Sequence, residues 1–220
     1  MCSSQSTCIE KFLIPLFLCS PMHPLQQAYS AKKQVITDRL TSFSRLSSDD
    51  LFYEFCFCLL TPQSKGKFCW EKVQKLRSLH FKESSFNPHR YIKDMRFHHH
   101  KNKYLLAGKQ IYPQVLEQLS LCQDSSTLRA WLAKNVDGYG YKESSHFLRN
   151  IGHTNLAILD RHILKNLVHH KVIPELPKTL TPKTYLAIEQ RFQRFAQKIN
   201  IPMDALDLLF WSTETGEVFK

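Results

Sequence analysis

The segment that decides the fold runs from residue 136 to residue 145 and reads VDGYGYKESS. Gly138 and Gly140, two of only six glycines in the chain, allow a sharp backbone turn between two predicted helices. The second helix begins with free backbone N–H groups and a positive dipole end, a combination that binds phosphate without any side chain. Residues 126–150 are therefore predicted to form a helix, a glycine hairpin and a helix that hold a DNA backbone. Because glycine pairs also occur in ordinary helix–helix turns, this segment alone does not decide the function.

A second element follows the hairpin and reads AILDRHIL over residues 157–164. Asp160 follows three apolar residues and precedes apolar residues at helical spacing, so it is predicted to be the N-cap of a helix. Most N-cap aspartates only accept hydrogen bonds from the free backbone N–H groups in the first turn of their helix. Taken alone, this element leaves capping and catalysis both open for Asp160.

Together the two elements resemble the helix-hairpin-helix DNA glycosylase superfamily, in which a glycine hairpin ends in a lysine and an aspartate follows about 18 residues later. The resemblance is closest to a subfamily of 8-oxoguanine glycosylase/lyases found largely in archaea and some bacteria. Its motifs are GYKE at residues 140–143, HFLRN at residues 146–150, AILDRH at residues 157–162, and Lys220 as the last residue. The resemblance covers roughly residues 32–220. It departs from the wider superfamily at residues 136–138, where Val-Asp-Gly replaces the usual Leu-Pro-Gly.

The resemblance implies an all-α, two-lobed helix-hairpin-helix DNA glycosylase fold with the active site in the cleft between the lobes. It implies a bifunctional DNA N-glycosylase and abasic-site lyase that removes 8-oxoguanine from duplex DNA and cleaves the strand by Schiff-base β-elimination. Lys142 would be the nucleophile, and Asp160 would stabilise positive charge on the sugar. Two alternatives stay open: a glycosylase/lyase for oxidised pyrimidines, and a non-catalytic helix-hairpin-helix DNA-binding module. A monofunctional glycosylase is disfavoured because such enzymes usually lack the lysine.

Further roles follow from the same resemblance. Gly138, Gly140 and Lys142 are predicted to bind DNA phosphate. The damaged base must leave the duplex stack before its glycosidic carbon can be reached. Phe97 and Trp211 would stack on that base and Lys220 would help to distinguish it from guanine. Core packing for the two aromatic residues, and a frayed chain end for Lys220, are the alternatives.

The charge of the chain agrees with a nucleic-acid partner. Thirty Lys and Arg residues against 19 Asp and Glu residues give a formal net charge of +11. A basic surface of this size attracts polyanions, either nucleic acid or anionic lipid. With the motifs, we expect a monomer that binds double-stranded DNA containing a damaged base, has no membrane association, and lies in the cytoplasm with the nucleoid.

Cysteine and histidine spacing bears on cofactors. The seven cysteines contain no CxxC pair and none follows Cys122, which argues against a structural zinc site and an iron–sulfur cluster and favours reduced thiols. His98-His99-His100 lacks the spacing of a helical metal motif, so we predict a solvated or phosphate-facing stretch and no metal there. Family likeness implies a monovalent cation on the hairpin carbonyls and no other cofactor.

The N-terminal segment is predicted to differ from the rest of the chain. Residues 1–27 are expected to be a poorly ordered extension, or to lie partly upstream of a true start at Met22. The apolar run at residues 12–19 is far shorter than a membrane span, which needs ~20 residues. Residues 28–220 are expected to form one glycosylase domain of nine or ten helices, with interleaved lobes and the N- and C-terminal helices together.

Overall fold

The computed structural model describes residues 23–220, and within that range it contains ten α-helices and no β-strand. In chain order the helices are α1 (Pro24–Phe43), α2 (Ser48–Leu60), α3 (Gly66–Ser78), α4 (His89–Ile92), α5 (His98–Leu121), α6 (Ser125–Asn135), α7 (Tyr141–Asn150), α8 (Arg161–His169), α9 (Pro182–Lys198) and α10 (Met203–Thr215). The all-α prediction is confirmed.

The start of the helical domain differs from the prediction. Helix α1 begins at Pro24, four residues before the boundary expected at residue 28, and Leu25 is buried against the core. The His23 ring accepts a hydrogen bond from the Leu25 N–H, and the Gln26 side chain accepts one from the His23 N–H. This capping box fixes the start of α1. Residues 1–22 of the predicted extension, including the apolar run and Met22, lie outside the described residues.

Helix α2 runs through the centre of the molecule. The sequence predicts that Ser48-Asp49-Asp50 cap this helix. The observed N-cap is Ser47, one residue earlier, which exchanges hydrogen bonds with Asp50. The sequence predicts one apolar face, but every residue from Phe52 to Leu60 is buried. A helix that is apolar all round lies inside a fold. The exception in this apolar run is Glu54, whose carboxylate therefore needs a partner inside the protein.

The helices form two lobes, each with its own hydrophobic core. The residues of the first core fall between Phe52 and Leu156 in the sequence, and most of them belong to α2, α3, α5, α6 and α7. The second core combines Leu25, Ile36 and Phe43 of α1 with residues of α8, α9 and α10. Helices α1 and α10 pack against each other, so the N- and C-terminal helices lie together and the chain passes from the second lobe to the first and back.

The hairpin lies where the two lobes meet. Tyr139 is buried in the first core, whereas Tyr141, two residues later, packs against the second. A buried ion pair between Arg129 of α6 and Glu189 of α9 also joins the two lobes. The charge of Lys142, at the start of α7 in the first lobe, also acts on Asp160, the N-cap of α8 in the second. None of the helices in residues 23–220 is long and apolar enough to cross a membrane.

Candidate active site

The turn between α6 and α7 requires glycine at residue 138, the first of its two glycines. Gly138 has a φ of +90°, which side chains rarely adopt, and a Cβ there would lie 2.6 Å from Cδ2 of Tyr104. The Tyr139 hydroxyl donates a hydrogen bond of 3.0 Å to the Phe55 carbonyl and anchors the turn to α2. Gly140 is the N-cap of α7, and its N–H donates to the Glu143 carboxylate at 3.2 Å. The predicted helix, hairpin and helix are therefore present and held on the first lobe.

Lys142 is the second residue of α7. Its side chain is only 24% exposed, and Nζ lies 3.2 Å from Oε1 of Glu143. The other oxygen of that carboxylate accepts the Gly140 N–H, so Glu143 links the hairpin backbone to the lysine. Lys142 therefore lies at the positive end of α7, largely shielded from solvent and in contact with the Glu143 carboxylate.

Asp160 is the N-cap of α8, as predicted. Its Oδ1 accepts hydrogen bonds of 2.8 Å from the N–H groups of His162 and Ile163, while Oδ2 accepts none from the described residues. Burial raises the pKa of this carboxyl, and the Ile163 hydrogen bond and the positive charge of Lys142 lower it. One oxygen of the carboxylate therefore caps α8, and the second oxygen remains available. The positive charge of Lys142 acts on this carboxylate and lowers its pKa.

A second carboxyl that the sequence analysis missed, Asp207 of α10, belongs to the same charge cluster. It is fully buried, and burial raises its pKa to about 7 against the lowering effect of Arg149. The charges of Asp160 and Asp204 raise it further, and that of Lys142 lowers it. Its Oδ2 lies 3.5 Å from Nη2 of Arg149. This site therefore contains an acid that changes charge near neutral pH.

The chain end docks beside this cluster instead of fraying. The ammonium of Lys220 forms an ion pair with Glu54 and lies 3.3 Å from the ring centroid of Trp70. Burial lowers the pKa of Lys220, and the Glu54 carboxylate raises it. Asn150 of α7 donates a hydrogen bond of 2.6 Å to the other oxygen of Glu54. Glu54 thus joins α2, α7 and Lys220.

Two buried side chains show that Lys142 and Lys220 share one environment. Burial raises the pKa of Cys58 well above its usual range, and both lysine charges lower it. Burial lowers the pKa of His146 well below its usual range, and both lysines lower it further. Both ring nitrogens of His146 lack a hydrogen-bond partner among the described residues. The charges of the predicted nucleophile and of the predicted recognition lysine therefore act on the same two buried side chains.

The two predicted stacking residues lie on different lobes. Trp211 is half-buried on α10, with its ring centroid 4.6 Å from that of His162, two residues after Asp160. Phe97 precedes α5, has a left-handed φ of 58°, and is 46% exposed. A positive φ at a residue other than glycine is uncommon, and such residues recur at active sites. No ring contact joins Phe97 to Trp211 in the described part of the chain.

Lys101 is a further residue that the sequence analysis missed. It lies one turn after Phe97, is buried, and donates a hydrogen bond of 2.7 Å to the Ser64 hydroxyl. Burial lowers its pKa, and the charge of Lys142 lowers it further. No sequence signal separates Lys101 from the other basic residues of its segment. Glu54 and Asp207 did carry one, because each is an acid within an apolar helical run.

A two-lobed helical fold, with a lysine at the end of a glycine hairpin and a capping aspartate across the lobe boundary, defines a helix-hairpin-helix DNA glycosylase. The sequence model of the family described as 8-oxoguanine DNA glycosylase matches residues 36–201, and the chain belongs to this family.

Relatives and solved structures agree with this assignment. An 8-oxoguanine DNA glycosylase/AP lyase of Fusobacterium nucleatum is 38% identical over 211 residues, covering 89% of this chain and 96% of its own length. The Methanocaldococcus jannaschii 8-oxoguanine glycosylase/lyase in complex with a 15mer DNA containing 8-oxoguanine superposes with a TM-score of 0.80 at 28% identity, covering 89% of this chain and 99% of its own. The Thermotoga maritima 8-oxoguanine DNA glycosylase gives a TM-score of 0.81 at 26% identity, covering 89% and 96%.

Proposed function

We propose that this protein is a base-excision repair enzyme that removes 8-oxoguanine from duplex DNA and cleaves the strand at the resulting abasic site. The observation that carries the proposal is the placement of Lys142 and Asp160 on facing lobes, close enough for the lysine charge to shift the pKa of Asp160. A DNA-binding module without catalysis needs the hairpin but not a lysine and a buried carboxylate at this junction. Damaged duplex DNA is the partner of this reaction.

In the proposed mechanism, neutral Lys142 attacks C1′ of the flipped nucleotide. The Nζ–C1′ bond forms as the glycosidic bond breaks, and the base leaves with the bonding electrons and takes up a proton. Opening of the sugar ring gives a Schiff base. Loss of a proton from C2′ then expels the 3′ phosphate, and the strand is cut. Asp160 stabilises the positive charge that develops on the sugar, because a carboxylate in a site of low dielectric acts strongly on nearby charge.

Gly138, Gly140 and the first turn of α7 hold the DNA phosphate beside the flipped nucleotide. Phe97 and Trp211 stack on the damaged base, and Lys220 distinguishes it from guanine. These roles are supported by the exposure of Phe97, by the position of Trp211 beside α8, and by the docking of Lys220 near Lys142. The reaction uses side chains alone and needs no iron–sulfur cluster, although a monovalent cation is expected on the hairpin carbonyls.

We expect the enzyme to act as a monomer in the cytoplasm, with the nucleoid. The substrate and the charge of +11 support a location on DNA. Cys56, Cys58 and Cys69 are buried and free, as in proteins of reducing compartments. Light scattering after gel filtration tests the monomer: a mass near 25.8 kDa is expected, and twice that mass would contradict it.

Borohydride trapping on a duplex with one 8-oxoguanine tests the chemistry, because reduction converts the Schiff base into a stable protein–DNA adduct. Wild type is expected to form the adduct and Lys142→Gln to form none. Asp160→Asn should trap and excise about 100-fold more slowly or worse. Asparagine caps helices as well as aspartate, so the Asp160→Asn loss reports the missing charge. Lys178→Gln, a change of an exposed lysine between α8 and α9, is the matched control.

An adduct of wild-type yield with Lys142→Gln would refute the nucleophile. No adduct and no base release, with DNA binding intact, would refute 8-oxoguanine as the substrate. A parallel duplex carrying an oxidised pyrimidine then separates another lesion from a pure binding module. A duplex with a preformed abasic site isolates the recognition step: Phe97→Ala, Trp211→Ala and Lys220→Met should keep their abasic-site adduct while losing excision of 8-oxoguanine.

A further inference from the structure

Three imidazole rings meet at the junction of α4 and α5, among residues that the proposed reaction does not use. His89 is the first residue of α4, and His98 and His99 are the first two residues of α5. One ring nitrogen from each lies within 4.8 Å of those of the other two. His89 Nε2 and His98 Nδ1 are 2.8 Å apart, and the His98 and His99 ring centroids are 4.1 Å apart. We call these three residues the histidine cluster.

The cluster could not be recognised in the sequence. Adjacent side chains normally diverge in direction, so a run of three histidines alone does not make a metal site. In the folded chain both His98 and His99 turn toward His89, which comes from the preceding helix. The ring centroids of His89 and His99 lie 4.9 Å apart and the rings are stacked. Three ligands on two helices are a set that a single tract cannot provide.

We propose that His89, His98 and His99 form a binding site for a divalent transition-metal ion such as Zn²⁺. In a tetrahedral zinc site, metal–nitrogen distances of 2.0–2.1 Å place the ligand nitrogens about 3.3 Å apart. One nitrogen pair is 2.8 Å apart and all three nitrogens lie within 4.8 Å of one another, so ring rotations can bring them to this separation. Imidazole nitrogen suits Zn²⁺, Ni²⁺, Co²⁺ and Cu²⁺, whereas Mg²⁺ and Ca²⁺ require oxygen ligands, which the cluster does not include. Solvent completes the coordination.

The ion has a structural consequence for the rest of the protein. It joins the start of α4 to the first turn of α5 across the connector at residues 93–97, and that connector ends in the exposed, strained Phe97. A bound ion therefore fixes the segment that presents this aromatic ring. The inference replaces the expectation that the histidine tract holds no metal. It does not depend on the glycosylase reaction, because binding of the metal alone is the observable.

The test uses the full chain without a polyhistidine tag, freed of metal by chelation and kept reduced. Calorimetric titration with Zn²⁺ is expected to show one ion per chain, and Co²⁺ to give the visible absorption of a nitrogen-ligated tetrahedral ion without a thiolate charge-transfer band. His89→Ala should weaken binding by about tenfold or more, since even changes around metal ligands cost 10–100-fold. His100→Ala is the matched control, because this neighbour in the tract lies outside the cluster.

Equal affinity in His89→Ala and wild type overturns the proposal, as does an equal loss in His100→Ala, a thiolate band with Co²⁺, or the absence of a one-to-one site. Circular dichroism checks that His89→Ala is folded. If it is not, His99→Ala, a change of an exposed side chain, decides the question by the same titration. Zn²⁺ should also raise the Tm of wild type and of His100→Ala but not of His89→Ala or His99→Ala, because only a folded site binds the ion.

Discussion

The ammonium of Lys220 is paired with the buried carboxylate of Glu54, 166 residues earlier in the chain. The side chains of the pair are 9% and 2% exposed. Around this pair lie the ring of Trp70 and the amide of Asn150. The contact therefore ties the end of the second lobe to the central helix of the first, within electrostatic reach of the residues that surround Lys142.

Removal of one partner of this pair should be costly. We expect Lys220→Met to lower the free energy of unfolding by about 3 kcal/mol, because it leaves a buried carboxylate without its counter-charge. The double variant Glu54→Gln/Lys220→Met should recover most of that loss, since glutamine still accepts the Asn150 hydrogen bond. Urea unfolding measures both. The control is Lys67→Met, which breaks the exposed pair with Glu217 and should cost less than about 1 kcal/mol. A Lys220→Met loss no larger than this control would contradict the prediction.

Glycine at position 138 should be irreplaceable for two separable reasons. Gly138→Ala puts a side chain at a φ of +90° and against the Tyr104 ring, so we expect a loss of about 2–4 kcal/mol together with weaker DNA binding. Gly216→Ala is the matched control, because it has a φ of +83° but open space around its Cβ. Gly216→Ala should lower the free energy of unfolding only by the cost of a side chain at positive φ, about 1 kcal/mol. Thermal unfolding of both variants gives the comparison, and equal losses would mean that the contact with Tyr104 has no effect.

The Arg129–Glu189 pair should hold the two lobes together. Nη2 of Arg129 lies 3.0 Å from Oε1 of Glu189, and Oε2 of the same carboxylate also accepts the Ala157 N–H at 3.0 Å. We expect Arg129→Met to destabilise the protein by about 3–5 kcal/mol, because it leaves this carboxylate buried and unpaired. Hydrogen exchange should then rise first at the segment after α7, where Ala157 loses a fixed acceptor. Exchange that rises evenly over both lobes would argue against a junction role.

The sequence predicted the features whose cause is local. The glycine hairpin and the Asp160 cap each depend on residues within a few positions of one another, and both are present. The features it missed depend on residues far apart. Glu54 stands out as an acid within an apolar helical run, but its partner Lys220 is 166 residues away and cannot be identified from that run. His89 joins the histidine cluster only because α4 packs against α5. The error over α2 has a different origin, because its residues 51–60 are apolar on every side apart from Glu54, and this pattern already indicates a buried helix.

Asp207 should make stability depend on pH in a defined direction. Its pKa is raised to about 7 by burial, whereas the same carboxyl in the unfolded chain titrates near 3.8. Between these values the unfolded chain loses its proton while the folded protein retains it. Stability from this group is therefore complete below pH 3.8, falls as the pH rises, and levels off above about pH 7.

Asp207→Asn removes this dependence, because asparagine resembles the protonated acid at every pH. Relative to wild type, the variant should gain about 2–3 kcal/mol in unfolding free energy between pH 5 and pH 8, from two pH units at 1.36 kcal/mol each. Urea unfolding at both pH values measures the gain. Because variant and wild type are compared at the same pH, the contributions of the titrating groups that they share cancel. Asp94→Asn, a change of an exposed carboxyl paired with Lys72, is the control and should not gain stability at high pH. A constant difference between Asp207→Asn and wild type across this range would mean that Asp207 is already ionised at pH 5.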